Sequence, residues 1–328
     1  MFSYRVLFKQ AWLITWRHKY LWFFGLFSAV VAGGSSWEYQ IFAQNLNQGL
    51  IEGTYVRLGN ILAFGDLLQN FWWGLADLFT YDFWTIINAF SLLILSLTLL
   101  AFFIWLAISS QAAVVGDVKK ILNPNQKKPV DLTIRQGLSE GHKHFWPLVG
   151  LNILIKALVA LTFFFVSLPL LFMVWRDTYA ISAIYTLLFI IFVPIAVGLS
   201  LLIKYAIAYK VLENKTAVAS LEAGGKLFQR NWLISLEAAV LLFLINFAAS
   251  FILIIVLALV FLPLFIFALI FNALWLALIV LFLALALIVI FGAMLTTFQT
   301  AAWTNLFLSL TSRGGQAKLE RLFGQYRI

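Results

Sequence analysis

Three ionisable side chains stand inside apolar sequence: Lys156, Lys204 and Glu237. A charge within a membrane-length apolar run is costly and marks a functional candidate by default. Lys204 lies about one and a half turns before Lys210, close enough for its ammonium to snorkel to the aqueous surface. Glu237 follows Trp232 closely and is equally shallow. Lys156 lies about ten residues past Trp146, roughly 15 Å deep at helical rise. A buried lysine needs a partner or must lose its proton. Three chemistries stay open for Lys156: a structural ion pair with Glu237, a site for an anionic ligand or lipid headgroup, and snorkelling.

Other reactive groups are sparse. His142 and His144 are two apart, which does not place them on one helical face, and with His18 and Glu140 they make a poor metal set. No metal and no cofactor are expected. The absence of Cys excludes disulfides, thiolate metal sites and Cys nucleophiles. Glu222-Ala223-Gly224-Gly225-Lys226 lacks the spacing of a phosphate loop. Neither a Ser-His-Asp order nor HExxH appears, so no enzyme activity and no catalytic residue are expected.

The elements that must position these groups are membrane helices. The 328 residues are 63% hydrophobic and 11% charged, with a mean hydropathy of +0.99. A soluble domain is about 25% charged, and several apolar runs exceed the ~20 residues that cross a bilayer. The pattern predicts six spans, at 20–36, 83–109, 146–175, 179–210, 233–263 and 273–308. Of the 22 Lys and Arg, all but Arg57, Arg176, Lys156 and Lys204 fall on one side of these spans. Short basic loops stay cytoplasmic, so both termini are expected inside. The +9 net charge follows this topology rather than nucleic acid, and no nucleic-acid partner is expected. The apolar region 233–310 is long enough for three spans, but three would put the basic C-terminal tail outside. Two long helices with a turn near Pro263 to Asn272 keep it inside.

A pattern recurs three times ahead of the odd spans: a small residue, a basic cluster and an aromatic. The copies run from Ala11 to Tyr20, from Gly137 to Trp146 and from Ala223 to Trp232. Each predicts an interfacial helix, apolar on one side and basic on the other. The stripes are Tyr4, Leu7, Phe8, Ala11 and Trp12; Val130, Ile134, Leu138 and Phe145, after Pro129; and Val218, Leu221, Gly225, Phe228 and Trp232. Tyr20, Trp22, Trp146 and Trp232 are expected to anchor at headgroup level. Recurrence of this element within the chain argues against a cleaved signal peptide at the first span. The even spans also end alike, in small and hydroxylated residues: Ser109 to Ala113, Lys204 to Ala208, and Thr296 to Ala302. Such residues let membrane helices approach and hydrogen-bond. They are expected to meet around a pseudo-threefold axis, as a packing seam or as the lining of a polar cavity.

The expected organisation is a single membrane domain over 1–328. Repeat 1 covers 1–116, repeat 2 covers 129–212, repeat 3 covers 214–312, and a basic tail covers 313–328. Repeat 1 carries an outside insertion at 37–82, acidic apart from Arg57. Its residues Ile61, Phe64, Leu67, Leu68, Phe71, Trp72, Leu75, Leu78 and Phe79 follow helical spacing.

The element of small residue, basic cluster, aromatic and hairpin is carried by Ala11 to Trp22, Gly137 to Gly150 and Ala223 to Leu236. It resembles the membrane domain of bacterial glycerophosphoryl diester phosphodiesterases and related six-span bacterial membrane proteins. In the phosphodiesterases the chemistry belongs to a separate soluble barrel, for which this chain has no room, so no catalytic residue transfers. The resemblance implies a prokaryotic inner membrane. The expected fold is therefore all-α integral membrane, with six transmembrane helices as three hairpins, each preceded by a cytoplasmic interfacial amphipathic helix. The expected function is a non-catalytic protein that interacts with lipid or organises the membrane. Its partners would be anionic headgroups on the cytoplasmic side, and a membrane-protein partner besides. The alternative is a small-solute or lipid transporter or permease.

Overall fold

The computed structural model describes residues 4–33, 82–122, 133–173 and 178–313, and among these all regular structure is helical. The helices are α1 (Tyr4–Arg17), α2 (Tyr20–Gly33), α3 (Phe83–Leu122), α4 (Ile134–Lys143), α5 (Phe145–Met173), α6 (Thr178–Glu213), α7 (Ala217–Arg230), α8 (Trp232–Val256), α9 (Leu262–Ile270) and α10 (Leu274–Arg313). The stripe of the 37–82 insertion, Pro129, Val130 and the tail beyond Arg313 lie outside the described residues.

Among the described residues, three helices are long and apolar enough to cross a membrane: Phe83–Leu122, the run Trp232–Ile270, and Leu274–Ser312. The other expected spans are also helical, in α2, α5 and α6. The region 233–310 holds two long helices rather than three, and its reversal comes at 271–273, the far end of the expected turn. Asn272 takes a left-handed φ of 51°, which asparagine tolerates better than most residues. The Ala273 N–H donates to the Ala268 carbonyl and the Asn272 N–H to that of Leu269, satisfying the last carbonyls of α9. Pro263 does not break the run, because the turn before it, Leu257–Phe261, is a π-turn. Proline has no N–H and clashes with the carbonyl four residues back; the wider turn accommodates both defects.

The short helices α1, α4 and α7 each end in a break of one or two residues before a long apolar helix. His144 sits in the bridge region (φ −100°, ψ 6°), and the helix restarts at once, since the Leu148 N–H donates to its carbonyl at 3.1 Å. Asn231 (φ −128°, ψ 32°) does the same with Ser235 at 3.0 Å. Thr216 caps α7 by accepting from the Ala219 N–H at 3.4 Å, satisfying one orphan donor of its first turn.

The chain divides into two compact units. The first holds 1–32, 106–155 and 198–328, and contains the short helices, their breaks and the small-residue ends of α3, α6 and α10. The second holds 33–105 and 156–197. Its part of α3 is sheathed in exposed apolar side chains such as Phe83, Trp84, Leu92 and Ile94.

Candidate functional site

Small residues decide how the short helices dock in the first unit. Ala11, Gly137 and Gly224 are all buried, and each lies two helical turns ahead of its break (11 and 18, 137 and 144, 224 and 231). A Cβ on Gly224 would stand 2.9 Å from the Ala206 nitrogen, and one on Gly141 would fall within the Ser109 carbonyl. So α7 lies backbone to backbone on α6, and α4 on α3. In the third short helix, α1, Leu7 and Ala11 are buried. The Asn305 amide of α10 donates to the Leu7 carbonyl at 3.3 Å and to the Gln10 side chain at 2.9 Å. Close approach of this kind replaces the hydrophobic drive that lipid does not supply.

The contacts of the long helices follow the same order. The Asn152 amide of α5 donates to Gln111 of α3 at 3.1 Å, and Tyr205 of α6 shares a 2.7 Å hydrogen bond with Ser235 of α8. Thr297 of α10 donates to the Leu21 carbonyl of α2 at 3.1 Å. Each small-polar helix end thus bonds to the next long helix in the chain, and the last end bonds back to the first. Ser109, Ser110, Ala112, Ala113, Ala206, Thr297 and Ala301 are buried, so these ends form a packing seam.

The opposite faces of the short helices stay open. Val6, Trp12, Leu13 and Trp16 of α1 are exposed, as are Ile134 of α4 and Val218 of α7. Among the four expected anchors, Trp146 is 78% exposed and Trp232 56%. The Trp22 indole donates to the Thr15 carbonyl at 2.9 Å and meets Trp16 edge-on. Tyr20 departs from expectation: its hydroxyl is buried and lies against Asp117 rather than at a headgroup surface.

The charged candidates have different surroundings. Lys204 is exposed on α6, with its Nζ 4.6 Å above the Trp303 ring of α10, a cation–π distance. Glu237 accepts from the Tyr4 hydroxyl, which ties α1 to α8. Lys156 lies in the second unit with its side chain exposed.

At the breaks, burial lowers the proton affinity of His18, helped by Arg17. Burial also lowers that of His144, where Lys210 and Lys143 add to it and Glu140 opposes. Both shifts favour the neutral imidazole. Among the described residues no group of three or more His, Cys, Asp or Glu is placed to hold a metal.

Sequence reasoning missed Asp117. It is 1% exposed, and neither carboxylate oxygen makes a hydrogen bond. The signal was faint: Asp117 lies two turns past Ser110 on the same face of α3, but with Lys119 and Lys120 beside it the stretch reads as a solvated helix end.

No protein-family model, curated protein or solved structure matches the chain. What fold and site define is a class: a protein that is all-helical among the described residues, with three helices there long and apolar enough to cross a membrane.

Proposed function

We propose that this is a non-catalytic membrane protein of six spans, arranged as three hairpins, that binds anionic lipid headgroups on the cytoplasmic face. The observation that carries it is the division of faces on the short helices. Small residues pack inward, while Trp12, Leu13, Trp16 and Val218 stay exposed on helices that also bear Arg5, Lys9, Arg17, Lys226 and Arg230. An exposed apolar face beside basic residues suits a helix lying in the headgroup layer. Lys204, itself exposed and held over the buried Trp303 ring, adds a cation, and Lys156 is a further candidate. The recurrence of the helix, break and helix supports three internal repeats, and the one-sided distribution of Lys and Arg supports cytoplasmic termini. The resemblance drawn from the sequence supports a prokaryotic inner membrane.

Native mass spectrometry of the detergent-extracted protein tests the lipid reading. Wild type is expected to retain an anionic phospholipid in preference to a zwitterionic one. Lys204→Ala should lower that retention about fivefold, the equivalent of the ~1 kcal/mol that each basic residue contributes near an anionic surface. Equal retention of both lipids, unchanged by the substitution, would sink the proposal.

A second reading, a transporter or permease for a small solute or lipid, is favoured by the orphaned buried polar groups on α3, the hydroxyls of Ser109 and Ser110 and the carboxylate of Asp117. Buried polar groups of this kind line transport paths.

A further inference from the structure

Asp117 stands where three elements converge. From its own helix, α3, the Lys120 ammonium reaches one carboxylate oxygen at 3.5 Å, beyond hydrogen-bond distance. From α2, the Tyr20 hydroxyl lies against it. From α4, Gly137 lies so close that a Cβ there would sit 2.9 Å from the other oxygen and 2.7 Å from the Phe24 ring. Also from α4, Glu140 takes the same Lys120 ammonium in a much closer contact.

The charges do not balance. Two carboxylates, Asp117 and Glu140, share one ammonium. Glu140 and Lys120 are partly exposed, so water helps to stabilise them; Asp117 is closed off. A buried carboxylate without hydrogen bonds is costly, and two like charges beside one counter-ion raise the proton affinity of the more buried one. The asymmetry in the Lys120 contacts selects Asp117 as that group. His144, the other titratable group close to Glu140, has its proton affinity lowered by burial and by Lys210, which disfavours a counter-ion there.

We infer that Asp117 is a proton-binding site that fastens α4 to α2 and α3, so that docking of this short helix responds to pH. With the proton on, the Asp117 carboxyl is neutral and fits the space left by Gly137. When the proton leaves to solvent, an unbalanced carboxylate remains, and α4 separates to admit water. The docked state binds one more proton than the undocked state. Docking is therefore strongest at low pH and weakens as pH rises, by at most about tenfold per pH unit for one proton.

The test is hydrogen–deuterium exchange of the amides of residues 134–143 in the whole protein, in lipid nanodiscs, over roughly pH 5 to 8. Rates are corrected for the intrinsic pH dependence of exchange. Wild type is expected to lose protection there as pH rises, by up to about tenfold per pH unit below its midpoint, the pH at which docked Asp117 gives up its proton, and to level off above it. Asp117→Asn keeps the shape without the charge and should hold protection flat across the range. Glu140→Gln, on an exposed side chain, frees Lys120 for Asp117 and should move the midpoint to lower pH, which keeps the test decisive if Asp117→Asn fails to fold. Flat protection in wild type, an unchanged pH response in Asp117→Asn, or an unmoved midpoint in Glu140→Gln would each overturn the inference.

Discussion

Gly141→Ala should destabilise the protein by about 3 kcal/mol, the upper end of the cost of overfilling a packed contact. The new methyl would fall within the Ser109 carbonyl of α3. That obstacle is helix backbone, so no side chain can swing aside, and α4 must move off α3 instead. Gly150→Ala is the internal control, because a Cβ there meets nothing within 4 Å. Alanine is favoured over glycine inside a helix by up to ~1 kcal/mol, so this variant should match or exceed wild type. Thermal unfolding in detergent separates the two variants. Equal midpoints for Gly141→Ala and Gly150→Ala would mean that α4 is not seated on α3 as described.

Gly25→Ala is expected to have an effect of similar size at a different place. A Cβ on Gly25 would collide with Oγ1 of Thr297 and with the Ala293 carbonyl, both on α10. Thr297 has little freedom to retreat, since its hydroxyl already bonds the Ala293 carbonyl at 2.8 Å and the Leu21 carbonyl at 3.1 Å. The contact joins the beginning of the chain to its last helix, and α1 makes the same junction through Asn305. Asn305→Ala removes hydrogen bonds without adding bulk, and should cost less, about 1–2 kcal/mol. A Gly25→Ala protein that unfolds no earlier than Asn305→Ala would show that the first and last helices are not joined through this contact.

These two glycines also show which parts of the molecule could be read in its residues. The long helices were plain from apolar run length. The choice of two helices over three in 233–310 followed from keeping basic residues on one side, and the break falls at Asn272. The pairing of a small residue with an aromatic was visible, but its register was not. Counting back from Trp232 selects Ala223, whereas the buried position is Gly224; where two small residues stand together, only the close approach to Ala206 distinguishes them. The docked face was not legible either. Apolar stripes such as Val218, Leu221 and Phe228 are conspicuous, yet the face turned inward on α7 is that of Ser220 and Gly224. Between helices bathed in lipid, backbone proximity decides association more than hydrophobicity does. Pro263 looked like a turn because proline ends most helices, and nothing local announced the π-turn that absorbs it. Asp117 was illegible because its surroundings, Tyr20, Gly137 and Glu140, are brought in from two separate stretches of the chain.

In the proposed arrangement all three helix breaks lie in one headgroup layer, and single-cysteine labelling tests this directly. The chain has no native Cys, so every signal belongs to the introduced residue. Lys19→Cys, Lys143→Cys and Arg230→Cys stand at the breaks, and Phe271→Cys stands at the turn between α9 and α10. With a membrane-impermeant maleimide applied to intact cells and to inverted vesicles, the three break positions should label only in inverted vesicles. Phe271→Cys should label only in intact cells. A break position that labels from the outside would contradict the shared layer, and with it the three hairpins and the proposed lipid-binding face.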